Sequence, residues 1–250
     1  ITTRLVGSEM CIRDRMETLP DALALAQTMV DIGKLAGKPV VAVITSMAQP
    51  LGTHIGNALE VKDAIDVLAG RTQGDLLEIS LLLGSHMLVL AEKAKTLPEA
   101  RAMLENALSS GAGLRKLAEM IAAQGGDLRV VEDLSLLPQA AVKRVMRAET
   151  AGYLSAMDTT ALGMAAQRMG AGRAKKSDML DYSVGYVLHV RLGDEVTEDT
   201  PLATLYARNE AEAEEAEKAI RKALTIAKEK PSVPPLWDAV VTAEGITYNR

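Results

Sequence analysis

The sequence predicts an α/β portion followed by a smaller α+β domain, and three observations carry that prediction. A short β-branched run, Val40-Val41-Ala42-Val43-Ile44, follows a helical stretch and reads as a buried parallel strand. Closely spaced helix signals then run to Gly125-Gly126, after which strand signals appear beyond Leu137-Pro138. There is no Phe, and all five Tyr and the single Trp lie beyond residue 150, so core volume is built differently on the two sides of about residue 147.

Taken in order, Pro20 and Asp21 open a first helix, with Leu23, Leu25, Met29, Val30 and Ile32 as its apolar face and Gly33 or Gly37 ending it. After the strand, Thr45 to Gly52 form a loop at its carboxyl end, the edge where open α/β sheets bind ligands. Ala58 to Leu68 is a helix with Leu59, Val61, Ile65 and Leu68 inward. Asp75 caps a helix running to about Lys95, whose apolar run near Ile79 to Leu90 predicts burial. Further helices begin at Pro98-Glu99 and at Leu114. Strands are expected at Val142 to Ala148, Tyr153 to Met157, Ser183 to Val190 and Leu202 to Tyr206. Between them Asp158 caps a helix stopping at Gly170, and Arg191-Leu192-Gly193-Asp194 form a turn. Glu210 to Lys228 reads as a helix polar on one face, and Ala239 to Thr242 as a short strand.

Composition excludes several classes. The net charge is −5 with no basic stripe, which argues against nucleic acid as a partner. No apolar run approaches the ~20 residues of a membrane helix, and no secretory signal is present, so the expected location is cytoplasmic. One cysteine, Cys11, leaves no internal disulfide and no thiolate cluster.

Cys11 itself lies in Leu5–Arg15, LVGSEMCIRDR, which resembles the translation of a sequencing adapter. Residues 1–15 are therefore expected to be a non-native scar, with the gene truncated upstream of Met16.

Three blocks have a familiar order and spacing: DIGKLAGKPVVAVITSMAQPLGTHIGNALEVKDAI from Asp31, LGSHMLVLAEKA from Leu83 with AAQGGD from Ala122, and AGYLSAMDTTALGMAAQRMGAGRAKKSDMLDYSVG from Ala151. Together they resemble the pyrimidine-nucleoside and thymidine phosphorylases. The resemblance implies residues 16–146 as the C-terminal part of a glycosyltransferase family 3-like α/β domain and 147–250 as the family's C-terminal α+β domain. It implies phosphorolysis of a pyrimidine nucleoside, thymidine or uridine, with phosphate as co-substrate, by a homodimer.

The family's phosphate-binding segment and base-holding residues match nothing in this sequence. No catalytic and no cofactor-binding residue is assigned, and the chain alone is expected to be inactive. The strand at Val40–Ile44 is expected to lack sheet neighbours, leaving residues 16–147 marginally folded. One site is implied by the resemblance: a potassium ion on the backbone carbonyls of Leu51 and His54 and the carboxylate of Asp63. A hard cation of this kind takes oxygen ligands. Asp63 stands where the family has Glu, Ser46 stands where Asp is frequent, and the other ligands are not matched.

Other readings are weaker. Gly170-Ala171-Gly172-Arg173 looks like a phosphate loop but follows a helix, whereas anions sit at helix N-termini. His54 has no second His or Cys at metal spacing, His86 reads as a packed histidine, and His189 reads as structural or exposed. Glu60 and Asp63 share a helix face as a solvated pair. Gly193-Asp194-Glu195-Val196 offers a rival, a biotinyl- or lipoyl-like carrier module, which requires an exposed lysine at a hairpin tip. An anthranilate phosphoribosyltransferase-like enzyme is a second rival, opposed by the appended domain.

Overall fold

The computed structural model describes residues 18–249; the expected scar at residues 1–15 and Cys11 lie outside them. In chain order the elements are α1 (Leu19–Leu35), β1 (Ala42–Thr45), β2 (His54–Ile55), α2 (Asn57–Leu68), α3 (Asp75–Leu90), α4 (Leu97–Ser109) and α5 (Ala112–Ala123). Two 3-10 turns precede β3 (Val142–Arg147), β4 (Gly152–Met157) and α6 (Thr159–Ala166). Then come β5 (Gly185–Leu188), β6 (Glu195–Val196), β7 (Pro201–Ala207), α7 (Glu210–Ala223), β8 (Leu224–Ala227), β9 (Trp237–Thr242) and β10 (Gly245–Tyr248). Contacts divide these residues into two compact units that interleave along the chain.

The first unit holds the residues up to Ser46, Gly74–Ser109 and the tail from Pro234. Thr18 caps α1 by accepting from the Asp21 amide, and Pro20 sits in the first turn where its missing N–H costs nothing. The buried face of α1 is Ala22, Ala26, Val30 and Gly33, one helical stripe packed with Ile44, Ala239 and Val241. Small residues let the helix lie close: a Cβ on Gly33 would overlap the Val40 side chain. The face expected from sequence is thus partly wrong, and Ile32 is 61% exposed.

β1 is a strand, as expected, but not a parallel strand without neighbours. β9 from the tail lies antiparallel to it, with Ala42 opposite Val241 and Ile44 opposite Ala239, and β10 pairs beyond β9. The β-branched run encodes a buried strand; its partner lies almost 200 residues away, and local pattern carries nothing of that. In the sheet order β1-β9-β10, the other edge of β1 has no strand partner among the described residues.

α3 and α4 pack on each other in the same unit, with Gly84 of α3 close under Leu104 of α4. Leu77, Leu81 and Ser85 form one buried stripe of α3 and Ile79 is buried on another side, while Leu83 and Met87 are exposed. The apolar run is a helix, but not one buried all round.

The second unit, Met47–Gln73 with Ser110–Val233, contains a four-stranded antiparallel sheet β2-β5-β7-β3 and a three-stranded sheet β6-β4-β8. Alternating residues of β5 and β7, including Tyr186, Leu188, Ala203 and Leu205, enter one core with Leu154, Leu162 and Ile220. α7 covers that core with Ala213, Ala216, Ile220 and Ala223. Asn209 caps it, Glu210 and Glu212 occupy the first turn and Arg221 and Lys222 the last, each complementing the helix dipole. The sequence extends this helix to Lys228, but at Leu224 the chain turns into β8, antiparallel to β4. Leu224-Thr225-Ile226-Ala227 holds an adjacent β-branched pair, Thr225-Ile226, that an Ala/Lys-rich context hides.

Candidate functional site

The loop after β1 and the helix α2 come together on the second unit's four-stranded sheet. β2 adds His54 and Ile55 to the edge of β5, opposite Val187 and Tyr186. The Leu188 amide donates to the Thr53 carbonyl at 2.8 Å, extending the pairing by one bond. Gly56, at φ +134°, then turns the chain into α2, where Glu60 reaches back to accept from the Gly56 amide at 3.2 Å. Asn57 donates to the Ala171 carbonyl at 2.8 Å, and the Ala58 amide to the Tyr182 carbonyl at 3.0 Å. The start of α2 is thereby held from the segments around residues 171 and 182.

Asp63 projects from α2 into this corner and is 3% exposed. Its Oδ1 lies 3.5 Å from Nδ1 of His54. Thr53 Oγ1 is 3.0 Å from the same nitrogen, and Lys62 Nζ is 3.4 Å from Nε2. An ammonium group only donates, so Nε2 accepts and the proton resides on Nδ1, facing Thr53 and Asp63. Burial lowers the His54 pKa below its ordinary value; Asp63 opposes this and Lys62 reinforces it. Near neutral pH, His54 is a neutral imidazole. Lys62 also contacts Asp66 at 3.4 Å, and Arg71 donates to Asp66 at 2.7 Å, holding that carboxyl below the usual range despite the opposing burial. Among the described residues, the ionisable partner of Asp63 is His54.

The loop preceding β2 is gripped from the turn between β5 and β6. Arg191 Nη1 donates to the Pro50 carbonyl at 2.6 Å and reaches the Gly52 carbonyl at 3.5 Å, while Nη2 reaches the Leu51 carbonyl at 3.4 Å. The Leu192 amide donates to Oε1 of Gln49 at 2.9 Å. Thr159 adds a hydroxyl bond to the Met47 carbonyl at 3.3 Å.

Of the three sequence-predicted ligand residues, the structure joins His54 to Asp63 through the imidazole ring, whereas the expected ligand atom is the His54 carbonyl oxygen. It places the Leu51 carbonyl under Arg191 in the adjoining loop. Glu60 and Asp63 have separate tasks, one capping Gly56 and the other facing His54, so they do not form an acid pair. At Gly170–Arg173 the chain is a helix end and not a helix start: Gly170 at φ +106° breaks a helical turn that runs on to Ala171, and Gly172 follows as its cap. The following Ala174 and Lys175 amides donate to Asp178 Oδ2 at 3.0 and 2.8 Å, which fills the donors an anion would need. Sequence reasoning missed Arg191, Gln49 and Leu192. The turn at 191–194 was legible, but nothing local marks where its guanidinium points.

All three histidines have pKa values lowered by burial. His86 has only that cause, and its buried Nε2 has no hydrogen-bond partner among the described residues. His189 has Lys143 as a second cause, and its Nε2 lies 2.7 Å from Thr204 Oγ1. A base with a depressed folded-state pKa binds fewer protons folded than unfolded. Its stabilising effect is therefore complete above the unfolded value of about 6.5 and declines as pH falls through that value towards the folded one. Urea midpoints are expected to fall from pH about 7.5 to about 5.5, with a shallower fall in His54→Asn. An unchanged slope in that variant would show that His54 titrates like an exposed histidine.

Residues 15–114 match the model of the glycosyl transferase family, a/b domain, and residues 153–227 match that of the pyrimidine nucleoside phosphorylase C-terminal domain. An a/b segment followed by that C-terminal domain is an arrangement similar to a nucleoside-phosphorylase type of chain. The chain is 49% identical over 195 residues to the pyrimidine-nucleoside phosphorylase of Geobacillus stearothermophilus, covering 78% of this chain and 45% of the relative. The same figures hold for the Bacillus subtilis (strain 168) protein of that name. For that of Staphylococcus aureus (strain USA300) the identity is 43% over 227 residues, 91% of this chain and 52% of the relative. The chain is similar to these pyrimidine-nucleoside phosphorylases, and it spans about half the length of the curated relatives it matches.

The turn at 191–194 bears Arg191 and no lysine, so the carrier-module reading has no attachment residue there. Among the described residues, no helix is long and apolar enough to cross a membrane.

Proposed function

We propose that this chain serves pyrimidine-nucleoside phosphorolysis. In that reaction the bond from the anomeric carbon to the base nitrogen breaks, phosphate oxygen bonds to that carbon, and the base leaves with a proton. The observation that carries this reading is the pair of domain matches in the family's order, at 43–49% identity. The reading takes residues 16–146 as the C-terminal part of the α/β domain and 147–250 as the C-terminal domain. It also includes a homodimeric, cytoplasmic enzyme acting on thymidine or uridine.

Within that reading, the carbonyls of Leu51 and His54 and the Asp63 carboxylate are the residues that would hold potassium. The residues suit a hard cation. Asp63 is a buried carboxylate facing an imidazole that burial keeps neutral, so it lacks a full compensating charge from that partner. The donors are oxygens, the ligand type potassium takes. When bound, the ion would supply the missing charge and tie the loop before β2 to α2. The chain's own residues hold that loop through Arg191 and Gln49 and fix α2 through Asn57.

The activity is tested by a chimera in which residues 16–250 replace the matching part of the Geobacillus stearothermophilus phosphorylase. Phosphate-dependent release of thymine or uracil is expected from the chimera and not from the 250-residue chain. A folded chimera without turnover would sink the reading. Turnover by the chain alone would place phosphate binding within these residues.

The cation is tested by melting the chain in potassium chloride against choline chloride. A ligand that binds only the folded state stabilises it by RT ln(1 + [L]/Kd), so about 100-fold excess over Kd gives about 2.7 kcal/mol. Asp63→Asn is expected to abolish the difference between the two salts. Equal melting of the wild-type chain in both salts would remove potassium from the proposal.

A further inference from the structure

We propose that Arg191 is a positioning residue for the loop before β2, setting the carbonyls of residues 50–52 and through them the affinity of the cation site. The cation part of this inference rests on the reading given under Proposed function.

Three observations support it. First, one guanidinium spans three consecutive carbonyls, with a short bond to Pro50 at 2.6 Å and longer approaches to Leu51 and Gly52 at 3.4 and 3.5 Å. The planar fork of arginine can do this and the single ammonium of lysine cannot. Because the strong bond goes to Pro50, the Leu51 carbonyl keeps a lone pair for another partner.

Second, the turn carrying Arg191 is itself fixed. The Arg191 amide donates to Asp194 Oδ2 at 2.7 Å. The Gly193 amide donates to the Leu154 carbonyl at 2.8 Å, and the Leu154 amide to the Asp194 carbonyl at 2.9 Å. Leu154 is fully buried in the unit's core. The guanidinium therefore projects from a base anchored on β4, and it can impose geometry on the loop instead of following it.

Third, the grip is bracketed on both sides. Gln49 accepts the Leu192 amide before the three carbonyls, and Thr53 accepts the Leu188 amide after them. The five residues from Gln49 to Thr53 have both ends tied to the β5–β6 segment and Arg191 across the middle. The loop that sequence assigns to the strand before it is held by residues more than 130 positions later.

The test uses the 250-residue chain, its Arg191→Ala and Arg191→Lys variants, and amide hydrogen exchange in potassium chloride and in choline chloride. The Leu188 and Leu192 amides report on the loop because they donate to Thr53 and Gln49. Amides of β7 report on the sheet as a whole. In Arg191→Ala, exchange at residues 188 and 192 is expected to rise about 10-fold with β7 unchanged. Apparent potassium affinity is expected to weaken by about 10-fold, the low end of what outer-shell partners contribute to metal binding. Arg191→Lys, which keeps the Pro50 bond, is expected to restore most amide protection and less of the potassium affinity. Wild-type exchange at both reporter amides in Arg191→Ala would overturn the proposal. So would an altered loop with unaltered potassium affinity. If the wild-type chain shows no potassium response while Arg191→Ala still frees the loop, the cation reading fails and the positioning of the loop by Arg191 stands.

Discussion

Alanine at Gly185 or Gly56 is expected to cost about 2–6 kcal/mol and to detach β2 from the sheet. The two glycines face each other where β2 runs into α2 beside β5. Gly185 has φ +147° and Gly56 φ +134°, conformations that side-chain-bearing residues rarely adopt. A Cβ on Gly185 would overlap the Ile55 carbonyl oxygen and crowd Gly56 Cα, and a Cβ on Gly56 would overlap the Val184 carbonyl oxygen. These are backbone atoms, so no side-chain rotation relieves the clash. Backbone strain of about 1–3 kcal/mol adds to overpacking of about 1–3 kcal/mol. Urea denaturation measures the loss, and exchange at the Leu188 amide shows whether the Thr53 bond has gone. Both substitutions break the same contact, so the double variant should lose less than the sum of the singles. Two losses that simply add would mean that the glycines act separately.

Tyr186→Ala is expected to be comparably damaging, at about 3–5 kcal/mol for removing a large ring from a closed core. Tyr186 is 0% exposed and is the largest of the fully buried side chains. Its hydroxyl donates to the Leu162 carbonyl at 2.8 Å, and burial pushes its pKa well up, so it stays protonated and donating. It pairs with Ile55 across β5 and β2, so the ring also supports the strand that carries His54. Tyr186→Phe keeps the ring and loses one hydrogen bond, worth about 1 kcal/mol. For a chain of this size, the alanine variant should melt roughly 10 °C lower and the phenylalanine variant a few degrees lower. Thermal melts by circular dichroism check the pair. An alanine variant within 1 kcal/mol of wild type would contradict a closed core around this ring.

Much of the fold was legible in the sequence where the signal was local. Asp158, expected as a cap, accepts from the Ala161 amide at 2.8 Å at the start of α6. The β-branched run gave β1, and the apolar spacing of residues 58–68 gave α2, which begins one residue earlier at Asn57. Of the candidate site, residues 46–63 were legible as a loop leading into a helix. What was missed was short or distant. β2 and β6 have two residues each, too few for any periodicity. β8 was hidden because α7 ends without a glycine or proline, and Leu224 simply extends instead.

By itself, the sequence carried the resemblance to the phosphorylases, most of the helices and the longer strands. Those properties depend on neighbours within a few positions or on the order of motifs, and both are written along the chain. Tertiary structure alone decided that β1 pairs with the tail, that a neutral His54 faces a buried Asp63, and that Arg191 grips Pro50. Each of these joins side chains or strands carried by different elements. Their meeting depends on how sheets and helices pack, and the direction of a side chain after packing leaves no periodic trace in the sequence.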